Sequence, residues 1–291
     1  MRSSVGIFRR FSSITEDCLY LNVTTPKSAD SNQLKPVMVW IHGGGGANGE
    51  GSIFDARRLA VDGDVVVVTF NYRFGIFGAM SYPGLECSGT FGLQDQQAAL
   101  QWVKRNAAAF GGDPNNVTLF GESYGAQATS AQLVSPAAEG LFHRAVIQSG
   151  FALIDLPAGT MYPGVPALPS MGWISSSEAE GMGVSVANSL GCSDPKSALE
   201  CLRGLSVEKL LPHTSMFTRF AFGNAVLPED PRQALREGRF HRVPVISGAT
   251  RDEARLIVST FFDSAGKPIT PQGYKELLNG AFGKSADRVE A

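Results

Sequence analysis

The chain reads as an α/β protein built on a mainly parallel central sheet flanked by helices, and three observations carry that reading. Apolar, β-branched runs recur at Pro36–His42, Val65–Asn71, Val117–Phe120 and Arg144–Ser149, each of strand length and too continuous for one face to be wet. Helix-length segments lie between these runs, as parallel βαβ units require. One run ends in a sharp glycine turn, Gly121-Glu122-Ser123-Tyr124-Gly125, with a helical pattern behind it to about Leu133. A length of 291 residues is enough for one large α/β domain or two smaller ones. We read a single domain over 1–291 with a cap or loop insertion around 151–230.

Taken in order, Leu19–Thr24 alternates weakly and is β-prone, so an early strand is expected there. A polar loop follows, then the buried run Pro36–His42, which ends in Gly43-Gly44-Gly45-Gly46. Four glycines after a buried strand let backbone N–H groups point into a cavity, which is what an oxyanion hole requires. A phosphate cradle is disfavoured because no G-K-[ST] follows the run, and a merely flexible loop is the bland alternative. His42 is read as a brace for this loop rather than a base. Asp62-Gly63-Asp64 turns the chain into Val65–Asn71, and Arg73 just after it is expected to anchor loop carbonyls or a carboxylate. Gly92–Phe110 holds a helix with Leu93, Gln97, Leu100 and Val103 on one stripe, closed by Gly111-Gly112-Asp113-Pro114.

Gly121-x-Ser123-x-Gly125 then sits where a strand becomes a helix. Small residues on both sides let the backbone bend hard and push one Ser Oγ clear of the sheet. The helix start aims N–H groups and a positive dipole end at whatever that serine attacks. With 33 glycines in the chain the bare pattern says little, so the strand before it and the helix after it carry the inference.

Beyond the elbow, Arg144–Ser149 is read as a buried strand. Phe151–Trp173 breaks the pattern with prolines, glycines and exposed-looking Met161, Tyr162 and Trp173; no sheet strand fits, and an insertion over the site's mouth does. Short helices are expected over 175–190, 196–203 and 206–211. Met216, Phe217, Phe220 and Phe222 fit an acyl pocket or core packing equally well. Pro244–Gly248 is read as a further buried strand, with Asp252 and Glu253 at its C-terminal end, where a carboxylate can orient and charge-stabilise a histidine. The remainder, 270–291, is read as a helix and a polar tail.

A net charge of −2 argues against nucleic acid or an anionic membrane as an obligatory partner. No apolar run approaches the ~20 residues that span a bilayer. Met1–Ile14 carries Arg2, Arg9 and Arg10 and no acidic residue, but lacks the apolar centre of a secretory signal. Of the cysteines Cys18, Cys87, Cys192 and Cys201, the last two bracket a short segment that fits either a loop disulfide, which would hint at secretion, or two reduced thiols. His42, His143, His213 and His241 are far apart in sequence, and no Cys/His spacing resembles a metal site; no metal or cofactor is expected.

The residues resemble the type-B carboxylesterase family, cholinesterase-like and lipase members of the α/β-hydrolase fold, from about Thr15 to Val258. The likeness rests on Glu16-Asp17-Cys18-Leu19-Tyr20-Leu21-Asn22-Val23, His42-Gly43-Gly44-Gly45, Asn71-Tyr72-Arg73, Gly92-Leu93-Gln94-Asp95-Gln96, Phe110 through Gly125, Gln148-Ser149-Gly150 and Asp252-Glu253, all in the family's order. It implies Ser123 as nucleophile and Glu253 as triad acid. Gly44, Gly45 and the N–H of Tyr124 would form the oxyanion hole, Glu122 would be a buried supporting carboxylate, and Ser149 a supporting hydroxyl. Tyr124 departs from the small residue usual after the nucleophile, although only its backbone is required. The family's later Gly-x-x-His segment, its leading hairpin and the usual partner of Cys18 have no counterpart here. The expectation is therefore a serine esterase of small-molecule esters, truncated at both ends, with C-terminal strands and the general base missing. A non-catalytic, cholinesterase-like binding module is the alternative; Ser123, Glu253 and the glycine run together favour the esterase.

Overall fold

The computed structural model describes residues 15–27, 33–159, 166–167 and 170–290, with Ile257 and Phe261 described in their backbone alone. The readings made for Met1–Ile14, Met161 and Tyr162 fall outside these residues. The strands are β1 (Leu21–Thr24), β2 (Lys35–Ile41), β3 (Val66–Phe70), β4 (Gly112–Glu122), β5 (Arg144–Gln148), β6 (Trp173–Ser175), β7 (Phe220–Phe222) and β8 (Val245–Gly248). The α-helices are α1 (Arg57–Gly63), α2 (Gly75–Ala79), α3 (Phe91–Asn106), α4 (Tyr124–Val134), α5 (Ser176–Ser189), α6 (Ala198–Arg203), α7 (Val207–Leu210), α8 (Pro231–Arg236), α9 (Arg255–Val258), α10 (Pro271–Phe282) and α11 (Ala286–Glu290).

Six strands form one sheet in the order β1-β3-β2-β4-β5-β8. Only β1 runs antiparallel, pairing Leu21 with Phe70 and Thr24 with Val67. The rest are parallel, so their C-terminal ends lie along one edge, where ligands of open α/β sheets bind. β3 is buried at every position, Val66, Val68 and Phe70 on one face and Val67, packed with Ala60 of α1, on the other. Along β2 and β4, Val37, Val39, Ile41, Val117 and Leu119 are buried on one face while Met38, Thr118 and Phe120 are only partly so. The α3 stripe of Leu93, Gln97, Leu100 and Val103 is buried as its spacing requires. Gln97 donates to Gln132 and to Ser135, and Gln132 donates to Gln96, so a buried amide network locks α3 to α4.

Five readings need correction, and one left open is decided. Trp173 is 1% exposed, not surface-lying: it opens β6, its Nε1 donates to Ala152 O at 2.8 Å, and its ring packs near Phe220. Pairing of β6 with β7 supplies strand partners in a region where none was expected. Phe217 and Phe220 are buried and belong to the packing. β8 is not buried: it pairs with β5 on one side only, and Ile246 is 71% exposed. β5 is only partly buried, with Arg144 and Gln148 exposed at its ends. The segment after 270 is helical nearly throughout, with Lys275 of α10 paired to Glu290 of α11.

Candidate active site

The elbow forms where β4 passes into α4. Ser123 has φ 56° and ψ −120°, a left-handed conformation that costs a non-glycine residue on the order of 1–3 kcal/mol and persists only where its surroundings hold it. Three restraints do so here. The Ser123 N–H donates to Gln148 O at 2.9 Å, and its carbonyl accepts from the Gln127 N–H, also at 2.9 Å. A Cβ at Gly125 would sit 2.0 Å from Ile41 O, so the helix start can approach β2 only because residue 125 has no side chain. Ser123 keeps partial exposure, while every residue of α4 from Tyr124 to Leu133 is buried behind it.

The glycine run lies against this turn. A Cβ placed on Gly43 would come within 3.2 Å of the Ser123 Cβ, so the first glycine of the run touches the elbow itself. Gly44, at φ 120°, turns its carbonyl onto the Ala47 and Asn48 amides. Gly45 faces open space: nothing lies within 4 Å of where its Cβ would be. Tyr124, the first residue of α4, has an N–H with no acceptor inside the helix, at the positive end of the helix dipole. Its ring is buried against Phe220, with centroids 4.9 Å apart, and burial raises its phenol pKa.

His42 braces the loop as expected. Its Nδ1 lies 2.8 Å from Gly43 O, its carbonyl accepts from Tyr72 OH at 2.6 Å, and its ring stacks on Tyr72 at 4.4 Å. Burial lowers its pKa, opposed by the Gly43 carbonyl and Glu50, so the neutral ring donates from Nδ1. Arg73 forks onto Asp95, with both contacts at 2.8 Å, anchoring the strand end to α3.

On the other side of the elbow, Ser149 follows β5 with φ 54°, and its N–H donates to Gly248 O at 2.7 Å. Its hydroxyl donates to Glu253 Oε1, and the Thr250 N–H donates to the same oxygen at 2.7 Å. These bonds, the Ser149 one first, hold the Glu253 carboxyl below its ordinary pKa. Glu122 does not fit the reading of a buried carboxylate. It is exposed at the end of β4, with one oxygen close against Gly43, because no described residue covers its outer side. Partial desolvation, then the charge of Glu253, raises its pKa.

The ends of β4, β5 and β8 thus stand side by side, carrying Ser123, Ser149 and the turn that bears Glu253. A family model described as the carboxylesterase family matches residues 3–279. The chain belongs to the carboxylesterase family. It is 38% identical over 271 residues to the acylcarnitine hydrolase of Mus musculus, covering 91% of this chain and 45% of that one. To the para-nitrobenzyl esterase of Bacillus subtilis (strain 168) it is 39% identical over 246 residues, 83% of this chain and 48% of that one. A solved thermophilic PNB esterase superposes with TM-score 0.72 at 33% identity, over 95% of this chain and 55% of the other. The chain spans about half the length of the curated relatives it matches.

Three of the four histidines of this carboxylesterase-family chain are engaged in structural bonds. His42 is bonded within the glycine loop, His143 Nδ1 accepts from the Val117 N–H at 3.1 Å, and His241 Nε2 meets Ser135 O at 2.8 Å. His213 lies in the 3₁₀ turn Leu211–Met216, packed against α2. Among the described residues no cluster of His, Cys, Asp and Glu could hold a metal ion, and no helix is long and apolar enough to cross a membrane. Cys192 and Cys201 form a disulfide, while Cys18 and Cys87 are free thiols. Sequence reasoning missed the left-handed φ of Ser149, and no residue type in Gln148-Ser149-Gly150 signals it.

Proposed function

We propose that this chain carries the nucleophile, the oxyanion donors and the acid of a serine carboxylic ester hydrolase. Ser123 attacks the ester carbonyl, and the N–H groups of Gly44, Gly45 and Tyr124 hold the negative oxygen. The alcohol leaves, and water then releases the acid from Ser123. An imidazole between Glu253 and Ser123 would take the Ser123 proton and pass it to the leaving alcohol, with Glu253, bonded to Ser149, orienting and charge-balancing it. The observation that carries this reading is the strained Ser123 lying against Gly43. The strand ends fit it as well: two sheet spacings separate the end of β4 from that of β8, about 10 Å, an interval that a histidine side chain can bridge.

The same geometry limits what the 291 residues do alone. With three histidines bonded elsewhere and His213 in a separate turn, Ser123 has no assigned proton acceptor. Loss of a triad base costs on the order of 10⁴–10⁶ in rate. The purified chain should therefore hydrolyse p-nitrophenyl butyrate feebly, and Ser123→Ala should remove what there is. Turnover equal to that of a full-length esterase, abolished by His213→Ala, would show that His213 is the base.

A further inference from the structure

The glycine run leads into one of two Asn-Gly pairs in the chain, Asn48-Gly49; the other is Asn279-Gly280 in α10. Hydrogen bonding within the loop stops at Asn48, whose N–H shares the Gly44 carbonyl with that of Ala47, at 3.2 and 3.1 Å. Beyond it, neither the Asn48 carboxamide nor the Gly49 N–H has a hydrogen-bond partner among the described residues, and both residues are part-exposed. Gly49 has no substitute: its φ is 127°, and a Cβ there would lie 2.5 Å from His42 Nδ1 and 2.8 Å from Gly43 O. With no side chain on residue 49, nothing on that residue crowds its nitrogen. The second pair is held differently. Asn279 Nδ2 donates to Lys275 O at 2.8 Å, and the Gly280 N–H lies within the helical ladder.

We propose that Asn48-Gly49 is a site of spontaneous deamidation, and that the carboxylate it creates slows acyl transfer to Ser123 by weakening the oxyanion loop. The second half rests on the ester-hydrolase reading; the first does not. The Gly49 nitrogen, once deprotonated, bonds to Asn48 Cγ; the Cγ–Nδ2 bond breaks, and ammonia leaves with the proton. Water then opens the cyclic imide on either side, giving aspartate or, with the chain rerouted through the side chain, isoaspartate at position 48. Water is the only co-reactant. Asn48 Oδ1 lies 2.9 Å from where a Gly44 Cβ would be, so the new charge stands beside a backbone unit whose N–H is read as an oxyanion donor. A fixed negative charge there opposes the charge that develops on the reacting oxygen. Isoaspartate also adds a methylene to the backbone just before Gly49, which packs on His42 and Gly43 O with no room for a carbon.

Peptide mapping by mass spectrometry tests the modification on the whole chain, held dilute at pH 8 and 37 °C beside a parallel sample in urea. In the native chain the Asn48 peptide should gain the mass of an amide-to-acid change at least about tenfold faster than the Asn279 peptide, whose amides a helix protects. In urea that protection is lost, and the two rates should converge to within about twofold. Equal native rates, or an Asn48 peptide that reacts in urea only, would overturn the site. For the consequence, fluorophosphonate labelling of Ser123 is timed on the deamidated fraction, separated by ion exchange. It should be about tenfold slower than in the fresh chain. Asn48→Asp, which brings the charge alone, should label about threefold to tenfold more slowly. Asn48→Ser, which cannot form the imide, should keep its labelling rate through the same incubation. Unchanged labelling of the deamidated fraction, or an equal loss of rate in Asn48→Ser, would overturn the link to the oxyanion loop. The mapping needs neither a variant nor Ser123, so it stands apart from the nucleophile assignment; a fresh chain that never labels at Ser123 would count against the ester-hydrolase reading instead.

Discussion

The Tyr124 ring fills the space in front of Gly46, where any Cβ would meet ring carbons at 2.7 Å. Gly46 has φ 70°, and its carbonyl accepts from the Gly75 N–H at 2.8 Å, so the end of the glycine run is pinned from two sides. A bulky residue after the serine thus wedges the loop against α4 instead of obstructing it. Gly46→Ala should lower stability by roughly 1–3 kcal/mol through strain and overlap. Tyr124→Ala should do so by about 3–5 kcal/mol through the cavity it leaves, and Tyr124→Phe should be near neutral. Urea denaturation measures all three, and a neutral Tyr124→Ala would contradict the wedge.

The elbow is less forgiving. Gly125→Ala directs a methyl at the Ile41 carbonyl, a backbone atom that cannot move aside, so about 4 kcal/mol or more should be lost, or no folded protein recovered. Gly45→Ala, with open space in front of it, should cost only about 1–2 kcal/mol for its left-handed φ. Equal costs at the two sites would mean that the close approach of β2 and α4 is misplaced.

Acid should weaken the loop through His42. Its folded pKa lies below the ordinary value of 6.5, so in that interval the unfolded chain binds the extra proton. The His42 contribution is complete above pH 6.5 and is lost as pH falls below it, with a limiting slope of about 1.4 kcal/mol per pH unit. Urea midpoints measured between pH 5 and 8 should fall toward acid, and His42→Asn should flatten that part of the profile. An unchanged profile in His42→Asn would place the titration elsewhere.

The exposed β8 edge is a hazard for the isolated chain. Val245 is 41% exposed and Ile246 71%, on a strand with a partner on one side only. Self-association through this edge is expected at micromolar concentration, and Ile246→Lys should suppress it. Light scattering of the two proteins settles the matter; a monodisperse monomer before the substitution would count against it.

How far the chain could be read from its residues follows from what each feature depends on. β2, β3 and the Val117–Phe120 part of β4 were legible as apolar, β-branched runs of strand length, and the elbow because its two glycines bracket a serine between strand and helix. β6 and β7 have three residues each, too few for any periodicity, and Trp173 is buried by Phe220, 47 positions further along the chain. β8 has the composition of a buried strand, but composition cannot say whether a neighbour lies beyond it. Glu122 raised the same difficulty, since burial of a strand-end carboxylate is set by whatever covers it. Of the proposed site, Ser123, Glu253 and the glycine run are residues the sequence already singles out; the left-handed φ of Ser149 is not, because it arises from contacts between distant segments.

The most direct test of the account is covalent: incubate the purified chain with an excess of a fluorophosphonate ester mimic and map the adduct by peptide mass spectrometry. The account predicts slow, stoichiometric labelling of Ser123, abolished by Ser123→Ala and weakened by Gly44→Val in the loop. Labelling that falls on another residue, or that persists unchanged in Ser123→Ala, would contradict it.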